Sequence, residues 1–67
     1  MPEIFIYALA GRTLDQKRKL VKEVTEVVAR NLDVAEDAVL IQIIESSREA
    51  KARGGILFSD RAAPAKK

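Results

Sequence analysis

The features of this sequence that could do chemistry are few, and the amino terminus comes first. Neither histidine nor cysteine is present. A group that shuttles protons near neutral pH needs a pKa close to it. With both residue types missing, the unperturbed candidates reduce to the α-amino group, at about 7.7–8.0. Pro2 makes that candidate specific, because removal of Met1 leaves it with a secondary amine in a rigid ring. Burial and nearby cations both disfavour the ammonium form. Such an amine is free to take a proton from one atom of a substrate and return it to another. With Met1 attached, the same nitrogen is an amide and no base.

Arg12 follows Gly11 and stands just before a predicted helix start. A guanidinium there is placed to hold a carboxylate through two hydrogen bonds, although the spacing also suits an ordinary surface arginine. Arg48, Lys51 and Arg53 lie close together before Gly54-Gly55. They could line an anion site or form a solvated loop. No phosphate-cradling or dinucleotide pattern surrounds the glycines, which excludes that use of them.

These residues need elements to position them. Residues 3–9, rich in β-branched and aromatic types, read as a strand. Thr13-Leu14-Asp15-Gln16 fits a capping box, with Thr13 as N-cap. Leu20, Val24, Val27, Val28 and Leu32 then recur at helical spacing, with Lys17, Lys19, Lys22, Glu23, Glu26 and Arg30 between them. Asp33 to Asp37 is a polar break. Ala38–Ile44 reads as a second strand, nearly apolar on both faces, and Gly54-Gly55 as a turn. Ile56-Leu57-Phe58 reads as a short third strand or hairpin arm.

Strand, helix, strand is a βαβ unit with parallel strands, so the expected class is α+β with a short C-terminal hairpin. Parallel strands that are apolar on both faces need cover on both, and this chain has one helix to offer. Phe5, Tyr7 and Leu9 point away from Ile4, Ile6 and Ala8, so one set lacks cover. Soluble monomers avoid such a face. Self-association is expected.

Length and charge narrow the remaining possibilities. Sixty-seven residues make one domain, placed at residues 1–60, and a small one that gains from partner subunits. No run approaches a membrane span and no signal peptide is visible, so a cytoplasmic location is expected. The net charge of +2 comes from Arg61, Lys66 and Lys67, in a tail at residues 61–67 expected to be flexible. No basic stripe interleaved with aromatics accompanies it, so neither nucleic acid nor membrane is expected as a partner. Without histidine or cysteine the common zinc sites are also out, and no metal or cofactor is expected.

Taken together, Pro2 before an Ile-rich strand, Gly11-Arg12-Thr13 with Asp15-Gln16-Lys17, the helix to Leu32-Asp33, the strand 39–45 and Gly54-Gly55 resemble the 4-oxalocrotonate tautomerase family. The resemblance covers roughly residues 2–60. It implies a tautomerase fold whose subunits pair into a four-stranded sheet and assemble, usually as a hexamer built as a trimer of dimers. It implies that Pro2 is the general acid/base in keto–enol conversion of a small enol or 2-oxo acid, and that Arg12 binds the substrate carboxylate. The sequence departs from the family pattern at two places: Leu40 stands where the family has a second substrate-binding arginine, and the pocket aromatic aligns near Lys51. Lys51 or Arg53 could replace the missing cation and would lower the Pro2 pKa. Alternatives are a catalytically altered or inactive subunit of a mixed oligomer (a heterohexamer), or a family dehalogenase, hydratase or decarboxylase. The latter chemistries need an acid to handle water; Glu45 and Glu49 are available, and spacing singles out neither.

Overall fold

The computed structural model describes residues 1–61; of the predicted tail, residues 62–67 lie outside the described residues. Strand β1 runs Glu3–Leu9, helix α1 Leu14–Leu32 and strand β2 Leu40–Ser46. The two strands pair in parallel, from Glu3 opposite Leu40 to Leu9 opposite Ser46. A hairpin arm follows, with β3 at Ala52–Arg53 antiparallel to β4 at Ile56–Leu57. The βαβ unit and the C-terminal hairpin are as the hydrophobic pattern predicts.

The helix begins where its sequence says it should. Thr13 Oγ1 accepts from the Gln16 amide at 3.1 Å, and the Thr13 amide donates to Gln16 Oε1 at 2.8 Å. Two amides that the first turn leaves without partners are thereby satisfied. At the other end Asp33 takes a left-handed conformation, φ 58°, and its amide bonds to the Ala29 carbonyl. Aspartate tolerates that conformation better than most residues, and it stops the helix.

The second strand differs from its predicted limits of 38–44. Ala38 belongs to a 3-10 turn at Glu36–Ala38, closed by the Val39 amide on the Glu36 carbonyl at 3.1 Å. Pairing starts at Leu40, whose amide reaches the Pro2 carbonyl, and lasts to Ser46, whose carbonyl accepts from Ala10 at 2.8 Å. Backbone bonds carry the strand through Glu45 and Ser46, where apolar patterning has already stopped. Phe58, expected to extend the third strand, instead opens a 3-10 turn at Phe58–Asp60.

Alternation along the strands decides which side the helix covers. Ile4, Ile6, Ala8, Ile41 and Ile43 are half-buried, whereas Phe5 is 49% and Tyr7 71% exposed. The Phe5–Tyr7 side is therefore the uncovered one. Among the described residues only Ala29, at 9% exposure, is buried. Part of the predicted apolar stripe of the helix also misses the sheet, with Leu20 at 41% and Val27 at 47% exposure. The face that packs is offset from that stripe and takes in Val21 and Ala29. One chain alone falls short of an ordinary hydrophobic core.

Candidate active site

Pro2 lies one residue before β1, and its carbonyl accepts from the Leu40 amide at 3.0 Å. This bond fixes Pro2 at the first rung of the sheet, half-buried, while Met1 beyond it is 84% exposed. Exposure leaves Met1 accessible for removal. The surroundings of Pro2 within its own chain are poor in positive charge: residues 1–11 and 31–47 contain no Lys or Arg. Leu40, paired beside it, is 46% exposed.

Arg12 stands at the far end of the same strand. Gly11 sets the turn that leads there, with φ 125°, a conformation that favours glycine. The capping box at Thr13 then anchors the chain directly after Arg12. No ion pair or side-chain hydrogen bond of Arg12 occurs among the described residues. Its guanidinium is left available to a ligand.

Arg12 opens on a cleft of about 190 Å³ between the start of the helix and the ends of the strands. Ile6, Ala8, Ile43 and Leu20 give it apolar walls, and Arg12, Gln16, Lys17 and Glu45 give it polar ones. Lys17 Nζ bonds both carboxylate oxygens of Glu45, at 3.0 and 2.9 Å, with the two side chains 31% and 30% exposed. Sequence reasoning left Glu45 and Glu49 equivalent; the structure puts Glu45 in the cleft and Glu49 in a solvent-facing turn. A signal for this existed. Lys17 shares a helix face with Val21, Val24 and Val28, and a cation on a sheet-facing stripe needs an acidic partner.

The predicted Arg48, Lys51, Arg53 cluster does not converge on one point. Arg48 is half-buried and donates to the Phe58 carbonyl at 2.7 Å. Arg53 lies over the Phe58 ring, 5.8 Å from its centre, and its carbonyl accepts from Arg61 at 2.9 Å. With the Phe58 amide on the Lys51 carbonyl at 2.8 Å, these contacts close the arm around Phe58. Lys51 stays exposed. The walls of the Arg12 cleft include neither Lys51 nor Arg53, nor Pro2. Lys22 is held above its ordinary pKa by its hydrogen bond to Glu26, but it sits on the solvent side of the helix, away from the cleft.

Pro2 and Arg12 cannot meet within one chain. Six steps of parallel strand separate Glu3 from Leu9, which at about 3.3 Å each places the ends about 20 Å apart.

A family model described as "Tautomerase enzyme" matches residues 2–61. A probable tautomerase of Bradyrhizobium diazoefficiens is 45% identical over 67 residues, covering 100% of each chain. The 2-hydroxymuconate tautomerase of Bacillus subtilis is 37% identical over 60 residues, covering 90% of this chain and 97% of that protein. A crystal structure of a 4-oxalocrotonate tautomerase homologue superposes with a TM-score of 0.88 at 35% identity, covering 94% of this chain and 100% of that one.

Proposed function

The chain belongs to the tautomerase family, and from that premise we propose that the amine of Pro2, freed by loss of Met1, is the general acid/base of a cofactor-independent keto–enol conversion. The enzyme class is isomerase. The observation that carries the residue assignment is the Leu40 amide on the Pro2 carbonyl at 3.0 Å. It holds the one group with a near-neutral unperturbed pKa at a defined place on the sheet.

The substrate is a small enol or 2-oxo acid. The neutral amine accepts the enol hydroxyl proton, electron density shifts through the double bond, and the resulting ammonium delivers the proton to carbon. Nothing is gained or lost, and Pro2 returns to its starting state. Arg12 binds the carboxylate and draws electron density toward the forming carbonyl. Lys51 stays exposed on the arm, and Arg53 steadies the arm against Phe58.

Assembly supplies the missing proximity. Both strands of the sheet have a free edge. Pairing β1 with its copy across a two-fold axis runs the two antiparallel and sets the Pro2 end of one against the Arg12 end of the other. It also completes a four-stranded sheet. The uncovered Phe5–Tyr7 side and the exposed helix residues Leu20 and Val27 then pack against further copies, in a trimer of dimers. The protein works as a homohexamer in the cytoplasm.

The test is a Pro2→Ala variant. Intact mass first establishes that wild type and variant have lost one methionine residue. Expected is a loss of at least a hundredfold in kcat on phenylenolpyruvate and 2-hydroxymuconate, with the sedimentation of the assembly unchanged. A fully active variant without Met1 overturns the assignment.

A further inference from the structure

We propose that the Arg12 cleft takes a monoanionic carboxylate with a compact apolar body, so that the preferred substrate carries one carboxylate and an apolar tail and not a second acid group. The substrate preference rests on the reading of Pro2 as the base, while occupancy of the cleft stands independently of it.

Charge in the cleft points to a single anion. Arg12 has no partner among the described residues, whereas Lys17 is held at 2.9 Å by Glu45. The pair is neutral as a unit, which leaves Arg12 as the one uncompensated charge on the walls. A guanidinium binds one carboxylate by two parallel hydrogen bonds. The floor beneath it, Ile6 and Ile43, offers no polar side-chain atom. At about 190 Å³ the cleft is smaller than the roughly 300–1,000 Å³ usual for drug-sized ligands, so a compact acid fits and a long one does not.

The other half of the site excludes a second carboxylate for a separate reason. At the Pro2 end stands Leu40, whose amide bonds the Pro2 carbonyl and whose apolar side chain is 46% exposed, and the residue paired with it on β1 is Glu3. Residues 1–11 and 31–47, which hold both strands and the 3-10 turn leading into β2, contain no Lys or Arg and include Glu36 and Asp37. An acid group placed there loses water and finds an apolar side chain and negative charge, both unfavourable. An aryl or alkyl tail placed there buries against Leu40 instead.

The experiment compares kcat/KM for phenylenolpyruvate (one carboxylate, aryl tail) and 2-hydroxymuconate (two carboxylates) on enzyme shown by mass to lack Met1. Expected is at least a tenfold preference for phenylenolpyruvate. Arg12→Ala should lower kcat/KM for it at least a hundredfold. Glu45→Gln releases Lys17 from its neutralising partner and should shift the preference at least fivefold toward the dicarboxylate. A wild-type preference for the dicarboxylate, or an unchanged ratio in Glu45→Gln, overturns the proposal. Loss of that preference in Lys51→Ala would assign the second carboxylate to the arm.

Direct binding separates this proposal from the assignment of the base. Calorimetric titration of the assembled wild type with phenylpyruvate and with 2-oxoadipate should show the monoacid binding at least tenfold tighter, and Arg12→Ala should abolish the difference. That result holds even if Pro2→Ala remains active, in which case only the base is wrong. Equal binding of the two acids, or binding of phenylpyruvate unaffected by Arg12→Ala, overturns the cleft assignment. Should Glu45→Gln fail to assemble, these titrations decide alone.

Discussion

The amide of Leu40 donates to the carbonyl of Pro2 at 3.0 Å, making Pro2 part of the sheet's hydrogen-bond ladder. Chain termini are usually loosely held. Here the N-terminal end is tied down by the strand that begins at Leu40. The Leu40 backbone makes the tie, and its apolar side chain is 46% exposed.

Leu40→Pro tests the tie. The substitution removes the amide and keeps an apolar side chain. Proline is tolerated at the first position of a strand, and Val39 before it already has the extended backbone that proline demands, φ −90° and ψ 122°. Loss of one such bond costs about 0.5–1.5 kcal/mol. A misplaced reacting group costs up to about a hundredfold, so the expected outcome is a fall in kcat on the order of tenfold, with assembly retained in sedimentation. Unchanged kcat would show that the bond does not position the base.

Thr13→Ala tests how Arg12 is placed. The capping box follows Arg12 directly, so its loss loosens the helix start and the cation together. Removing a threonine cap costs about 1 kcal/mol, and a domain of this size should lose about 4–8 °C in Tm. KM for the acid should rise several-fold while kcat changes less. A rise in KM without a change in Tm would contradict the capping argument.

Tyr7→Glu tests the uncovered sheet face. In a monomer Tyr7 is 71% exposed, and a change at such a surface position stays within about 0.5 kcal/mol. In the proposed assembly the same position is an interface, and a buried unpaired carboxylate is strongly unfavourable. The expected result is dissociation in sedimentation, with most of the activity lost. Retention of wild-type size and activity would leave that face without the proposed partner.

The chain purified alone should both assemble and turn over substrate. Activity that appears only after mixing with a second, arginine-bearing short chain would favour the mixed-oligomer alternative raised by Leu40.

The parts of the fold legible in the sequence are those written in local pattern. Thr13 and Gln16 announce the helix start because a capping box needs only neighbours in sequence. The uncovered sheet face follows from counting apolar faces against available helices. Strand β2 is misplaced at both ends because pairing partners, not apolar side chains, set its limits at Leu40 and Ser46. Phe58 reads as strand, yet contacts with Arg48, Lys51 and Arg53 turn it into the centre of the arm. The site is legible only in halves. Pro2 and Arg12 can each be named from residue type and position, but the length of strand from Glu3 to Leu9 that parts them, about 20 Å, follows from strand geometry. The pairing of Lys17 with Glu45, which sets the charge of the cleft, depends on register.

The scarcity of buried side chains, with Ala29 alone below the surface among the described residues of one chain, bears on how activity scales with amount. When a folded subunit and a complete site both depend on neighbours, stability rises with protomer concentration by mass action. Specific activity should therefore fall on dilution and recover on concentration, with a lag set by reassembly. In a cell, doubling the amount of this chain would more than double its turnover near the assembly threshold. Expression level would then act as a gate on the reaction as well as a measure of it.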